Sequence, residues 1–299
     1  MKPLSDFVLI ERINQCPKLA SLNSINKTLL NLIESEDSLV TQIAEVIKLD
    51  PSLTTRVLDL VNSIFFGSSE KNKISGIEEA SIFLGLHRIR ELLSATPIIE
   101  EITDLDNKIE GNFPWEDFWR HSIGCAILTR ELIAIAGEKV ETESEYVAGL
   151  LHNLGILILA ITFPEEFTSV FNSEYQNRAE LLKKEEEVIG WNHAKVGAYY
   201  LWNHHISEEI VESVNFHNEP CSAKISPKLC AAVNISDKLV KSFGIGGLEK
   251  FYVEPISDFS SINNWEILFN SGTEAETTET ETKVRNSLDR LKELLNNIL

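Results

Sequence analysis

Between Ser24 and Val61 the apolar residues fall on steps of three and four: Ile25, Leu29, Leu32 and Ile33, then Leu39, Ile43, Val46 and Ile47, then Leu53, Val57, Leu58 and Val61. That spacing predicts three amphipathic helices in succession. Ser38 is a candidate cap for the second, and Asp50-Pro51 sets a cap followed by proline at the first helical position of the third. Phe65, Phe66 and Gly67 break the pattern. Ser75-Gly-Ile-Glu78 then has the spacing of a capping box and opens a helix through Ala80, Phe83 and Leu84, with a bend expected at Gly85 before Ile89, Leu92 and Leu93.

The polar stretch Thr103 to Gly111 interrupts this series, and a new helix is expected after Pro114, with Glu116 and Asp117 in its first turn, where acidic groups suit the helix dipole. Its apolar stripe runs through Phe118, Cys125, Leu128 and Leu132, with His121 on or near the same face. Val147 to Phe163 is an almost unbroken apolar run with His152 and Asn153 at its middle, and it reads as one core helix with a polar centre. A buried polar pair needs partners. The run is too short and too interrupted for a spanning helix, which needs about 20 predominantly apolar residues. Further helices are expected over Leu181 to Ile189, Trp191 to Trp202, Ile210 to Phe216 and Cys230 to Phe243. On these, Gly197 would allow close approach of another element, while His204 and His205 read as solvated or capping residues.

The pattern makes the chain all-α: a helical bundle with an N-terminal helical subdomain. The expected divisions are 1–105, 106–245 and a C-terminal extension over 246–299. In that extension TEAETTETET is acidic and threonine-rich and is expected to be disordered or loosely held. Val284, Leu288, Leu291, Leu295 and Ile298 then repeat at steps of four and three, the spacing of a coiled-coil seam. Two heptads are marginal alone in water, so this helix is expected to dock on the body, or otherwise to pair with a second copy in a homodimer.

Composition narrows the function. The 299 residues are 43% hydrophobic, enough for a sizeable core, and 46 Asp and Glu against 27 Lys and Arg give a net charge of -19. That balance opposes binding to nucleic acid or anionic membranes. Helices around TQIAEVIKLDPSLTTRVLDLV have the outline of a helix-turn-helix, but Lys48 and Arg56 are offset by Glu45, Asp50 and Asp59, and the basic footprint is missing. Cys16, Cys125, Cys221 and Cys230 form no CxxC pair, which fits a reduced cytoplasm. The N-terminus shows no long apolar stretch of a signal peptide or anchor.

No single histidine is persuasive, but their order is. His121, His152-Asn153, His193, His217 and Asp237 follow the H…HD…H…H…D succession of the HD superfamily of metal-dependent phosphohydrolases, with Asn153 in place of the doublet aspartate. LDPSL at 49–53, VNSIFFG at 61–67, FLG at 83–85, FWRHS at 118–122, GLLHNLG at 149–155 and HAKVGAYYLW at 193–202 together resemble the HDOD family, the HD-related output domain of bacterial signalling proteins, over about 18–220. The resemblance implies a compact all-α module of cytoplasmic signal transduction and carries no established catalytic activity. The doublet aspartate of catalytic relatives ligates and bridges metal, and an amide brings no charge to offset a divalent cation. Ile156 follows Gly155 where catalytic HD-GYP phosphodiesterases show a nearby lysine, Asn218 stands where a second histidine is expected, and no GYP occurs.

Two functional expectations result. One is a non-catalytic module that binds a protein partner or small ligand in a cleft between its helical halves, with the histidines a vestigial polar cluster and no cofactor. The alternative is a metal-dependent phosphohydrolase acting on a nucleotide or cyclic dinucleotide, with His121, His152, Asn153, His193, His217 and Asp237 around a single zinc, iron or nickel ion. DNA binding comes last.

Overall fold

The computed structural model describes residues 3–16, 19, 23–35, 39–65, 73–94, 113–138, 143–246, 253, 255–270 and 272–295. Among these, helices and short 3-10 turns supply all regular structure. The polar stretch 103–111, the cap candidate Ser38, Phe66, Gly67 and Ile298 lie outside them. The helices are α1 (Asp6–Asn14), α2 (Asn23–Glu34), α3 (Val40–Ile47), α4 (Pro51–Phe65), α5 (Ile77–Ser94), α6 (Trp115–Ile135), α7 (Ser144–Leu151), α8 (Leu154–Thr162), α9 (Pro164–Phe171), α10 (Arg178–Val188), α11 (His193–Asn203), α12 (Glu208–Phe216), α13 (Pro227–Ser242), α14 (Trp265–Leu268) and α15 (Glu274–Leu295). They cluster into two units, each discontinuous in sequence: 1–113 with 153–207, and 114–152 with 208–299.

In the first unit, α3 and α4 pack against α5, and α8 packs against α11 and α9. The Asp50 carboxylate accepts from the backbone N–H of Leu53 at 2.9 Å, the cap expected for α4. Gly85 bends α5 with φ 71°, a left-handed value that a side chain disfavours. Asn62 on α4 pairs with both the N–H and the C=O of Ile74, at 2.8 and 3.0 Å, and its amide also reaches the carbonyl of His205 at 3.2 Å. One buried side chain thereby ties three segments together.

In the second unit α6 is the central rod, with α7, α13 and α15 packed on it and α12 against α7 and α13. Its buried face includes Phe118, Trp119, His121, Cys125, Leu128 and Leu132. Helix α13 has a fixed start because the Glu212 carboxylate on α12 accepts from the backbone N–H groups of Lys224, Ile225 and Ser226 at 2.6–3.0 Å.

Two expectations need correction. The run Val147 to Phe163 is not one helix: α7 ends at Leu151, His152 and Asn153 form a turn, and α8 begins at Leu154. Its apolarity hid the break, because both flanking helices are buried. Among the described residues, the one helical stretch long and apolar enough to cross a membrane is Ser144–Thr162, and 89% of its window is buried inside the protein. The acidic threonine-rich segment is helical, forming the first half of α15. Hydroxyls of Thr278, Thr280 and Thr282 donate to carbonyls four residues back, and Lys283 pairs with Glu279 at 2.7 Å. The helix propagates outward from its docked end, where Val284, Leu288, Leu291 and Leu295 are buried and α15 lies on α6 as expected.

Candidate functional site

Three helices of the second unit converge on a buried polar cluster. Helix α6 supplies His121 and, one turn on, Cys125; the turn after α7 supplies His152; α13 supplies Asp237 and, one turn on, Lys241. His121 and His152 are 1% and 0% exposed and Asp237 is 6% exposed, so each polar atom must be answered inside the protein. The close approach rests on Gly149. A Cβ there would lie 2.6 Å from the carbonyl oxygen of Cys125 and 2.8 Å from Cα of Ala126, leaving no room for a methyl between α7 and α6.

Asp237 is the hub. Its Oδ1 lies 3.0 Å from His121 Nε2 and 3.1 Å from His152 Nε2, while Lys241 Nζ sits 2.8 Å from Oδ1 and 2.9 Å from Oδ2. Burial lowers the pKa of His121, against the raising effect of Asp237, so its ring favours the neutral form. That ring donates from Nε2 to Asp237. Its Nδ1 is buried without a hydrogen-bond partner among the described residues. His152 Nδ1 lies 2.7 Å from the carbonyl of Gly149, which accepts, so Nδ1 carries the proton. His152 Nε2 then meets Asp237 in one of two ways: as a second N–H, making the ring cationic, or as a lone pair with a cation between.

The donor types are those of a single-ion site, but the carboxylate oxygen of Asp237 lies 3.0 and 3.1 Å from the two imidazole nitrogens, closer than a tetrahedral centre would set them. His121 Nε2, Cys125 Sγ, His152 Nε2 and a carboxylate oxygen of Asp237 all lie within 4.8 Å of one another, and His121 Nε2 is 3.4 Å from Cys125 Sγ. Metal bonds of about 2.0–2.3 Å in a tetrahedral site give donor separations of roughly 3.3–3.8 Å. The Gly149 carbonyl would orient His152 as outer partners do in metal sites. With four protein donors such a centre is closed. Two bridged ions are not supported by this set, because it contains a single carboxylate.

The remaining candidates are engaged elsewhere. His217 at the end of α12 lies edge-on to His152 with centroids 5.2 Å apart; its Nδ1 donates to the Val214 carbonyl at 2.7 Å and its Nε2 accepts from the Asn218 amide at 2.9 Å. In the first unit, Asn153 Oδ1 accepts from Arg178 Nη2 at 3.1 Å. His193, also there, opens α11 with Nδ1 2.7 Å from Glu185 Oε2, and the same carboxylate oxygen accepts from its backbone N–H at 2.9 Å. Gly155 on α8 lies against this turn, where a Cβ would be 1.8 Å from the His193 carbonyl oxygen and 2.9 Å from Gly197 N. The close approach expected at Gly197 is therefore present.

Sequence reasoning left Cys125 and Lys241 out of the cluster. Both sit four residues after a candidate, His121 and Asp237, and i,i+4 spacing on one helix face was the available signal. His204 and His205 are not merely solvated: each Nδ1 lies 3.1 Å from the Asp59 carboxylate.

The family model for the HDOD domain matches residues 19–220. A curated but uncharacterized protein from Treponema pallidum is 24% identical over 211 residues, 70% of this chain and 39% of its own length, so the chain spans about two fifths of that relative. Among solved structures, the MmoQ response regulator of Methylococcus capsulatus aligns with a TM-score of 0.65 at 17% identity, covering 91% of this chain and 98% of that one. A virulence factor from Campylobacter jejuni aligns at 0.62 with 18% identity over 96% and 100% of the two chains. An HDOD protein of unknown function from Geobacter sulfurreducens aligns at 0.56 with 18% identity over 99% of each. These structures share the all-α fold, and the match over residues 19–220 establishes that the chain belongs to the HDOD domain family.

Proposed function

We propose that this protein is a non-catalytic signal-transduction module that acts by binding a protein partner or a small ligand, and that its HD-type residues form a polar core instead of a reaction centre. The observation carrying this reading is the ion pair between Lys241 and Asp237, with side chains 9% and 8% exposed. The ammonium already offsets the charge of the cluster's carboxylate. The doublet position is the uncharged Asn153, held by Arg178. The name of the MmoQ relative, a response regulator, agrees with a signalling role.

A second reading is favoured by the Gly149 carbonyl, which aims His152 Nε2 at the other donors. On that reading His121, His152 and Asp237 would hold one zinc, iron or nickel ion, with the fourth position left to water instead of Cys125, and the protein is a phosphohydrolase of nucleotides or cyclic dinucleotides. Elemental analysis of protein purified without chelators, for the wild type and Asn153→Asp, separates the two when combined with a phosphodiester turnover assay. The first reading expects no turnover and no stoichiometric metal in the wild type. Stoichiometric metal together with turnover that His152→Ala abolishes would overturn it.

A further inference from the structure

A metal-bound imidazole gives the proton of its far nitrogen to an outer acceptor, which fixes the direction of the ring. His152 has that acceptor in the Gly149 carbonyl, 2.7 Å from Nδ1. His121 does not: its Nδ1 is buried with no hydrogen-bond partner among the described residues. A metal on His121 Nε2 would move the ring's proton to that unanswered atom and leave a buried donor unpaired. The spacing points the same way. Asp237 Oδ1 stands 3.0 and 3.1 Å from the two Nε2 atoms, the separation of hydrogen-bonded groups and short of the roughly 3.3–3.8 Å between donors on one tetrahedral ion.

Lys241 supplies positive charge to the cluster in place of an ion. Its Nζ lies 2.8 Å from Oδ1 and 2.9 Å from Oδ2 of Asp237, and the two side chains are 9% and 8% exposed. Four residues apart on α13, they meet on one helix face, so local geometry sets the pair and no ligand is needed to hold it. A divalent ion among His121, His152 and Asp237 would face the ammonium across a shared carboxylate. The ion's two charges and the lysine's one would then be answered by a single negative charge inside the protein. Like charges repel strongly where water is excluded.

We propose that the Lys241 ammonium is the resident cation of this site: it takes the charge position of a metal ion, excludes one from the native protein, and turns a set of metal donors into a hydrogen-bonded hub. The inference rests on the non-catalytic reading and names the residue that keeps the cluster inert. It carries a consequence which that reading alone does not: removing one charge should uncover a metal site.

The test titrates zinc alone, by calorimetry, into the chelator-stripped full chain. Lys241→Leu, which adds no donor atom, is expected to bind one ion per chain at least about tenfold more tightly than the wild type. Adding Asp237→Asn should remove that gain, which separates the cluster from surface sites. Lys241→Arg keeps the charge and should bind no better than the wild type. Lys238→Leu removes a half-buried charge one residue beyond Asp237 but leaves the ion pair, and should stay within about threefold of the wild type. Lys241→Gln serves if the leucine variant fails to fold. Wild-type affinity in both neutral variants, an equal gain in Lys238→Leu or Lys241→Arg, or a gain that survives Asp237→Asn would each overturn the proposal. Those results leave the non-catalytic reading standing, whereas phosphodiester turnover by the metal-loaded wild type would sink that reading and this inference with it.

Discussion

Replacing Lys241 by methionine isolates the interaction on which the non-catalytic reading rests. Methionine keeps most of the packing volume of the aliphatic stem and removes the ammonium, leaving the Asp237 carboxylate 6% exposed with two imidazoles but no lysine. Breaking one partner of a buried ion pair costs about 3–5 kcal/mol, because the other charge stays behind. The two imidazole contacts at 3.0 and 3.1 Å put the expected value at the lower end, about 3 kcal/mol. With an m value of about 1–3 kcal/mol/M, the urea midpoint of metal-stripped protein should fall by about 1 M or more. The double variant Lys241→Met with Asp237→Asn removes the stranded charge and should recover most of that loss. Circular dichroism through a urea series measures both. A loss under about 1 kcal/mol in Lys241→Met would refute the reasoning, since some other cation would then be answering Asp237.

Three other outcomes follow from the same structure. Burial pushes the thiols of Cys16 and Cys230 up to about 11 and Cys125 is buried, so at pH 8 a disulfide reagent should label Cys221 quickly and the other three slowly. A thiol titrating near 11 is ionised in only about one molecule per thousand at that pH; Cys221→Ser should remove the fast phase, and a fast phase that survived would contradict the assignment. Burial holds the Glu145 carboxyl above its ordinary 4.5, so the folded state is penalised as pH rises through that value, where the unfolded chain has already released its proton. Glu145→Gln is accordingly expected to raise Tm at pH 7 and leave it nearly unchanged at pH 4, and a lower Tm at pH 7 would reverse the sign of the argument. Gly149→Ala forces α7 off α6 and should cost about 1–3 kcal/mol by overpacking; a fully stable alanine variant would mean that the 2.6 Å approach is not enforced in solution.

Much of the fold was legible because periodicity and caps agree locally. The stripes at Ile25 to Ile33, Leu39 to Ile47 and Leu53 to Val61 became α2, α3 and α4, and Asp50 caps α4 as its position before Pro51 suggests. The turn at His152-Asn153 was hidden because residues on both sides are buried, which removes the polar face that would have set the phase of each helix. The acidic start of α15 was misread because it continues a helix whose far end is docked on α6, and docking is not visible in composition; its threonine hydroxyls are accommodated by bonding carbonyls four residues back. Of the six residues singled out by their order along the chain, His121 and His152 each lie within hydrogen-bond distance of Asp237. That order gave no sign that Asn153 and His193 are satisfied by Arg178 and Glu185, since those pairings depend on how α10 packs.

Glu212 ties the cluster to a helix that contributes nothing to it directly. The N–H groups of Lys224, Ile225 and Ser226 point at one carboxylate on another helix, so the start of α13 is settled only when the loop from Glu212 to Ser226 has closed. Asp237 and Lys241 ride on that same rod, at its far end. Their ion pair lies four residues apart on one helix, whereas the contacts to His121 and His152 require α13 to be packed on α6 and beside the turn after α7. The histidine–aspartate hub is thus a purely tertiary feature: His121, His152 and Asp237 come from α6, the turn after α7 and α13, so no one of these segments holds any part of it alone.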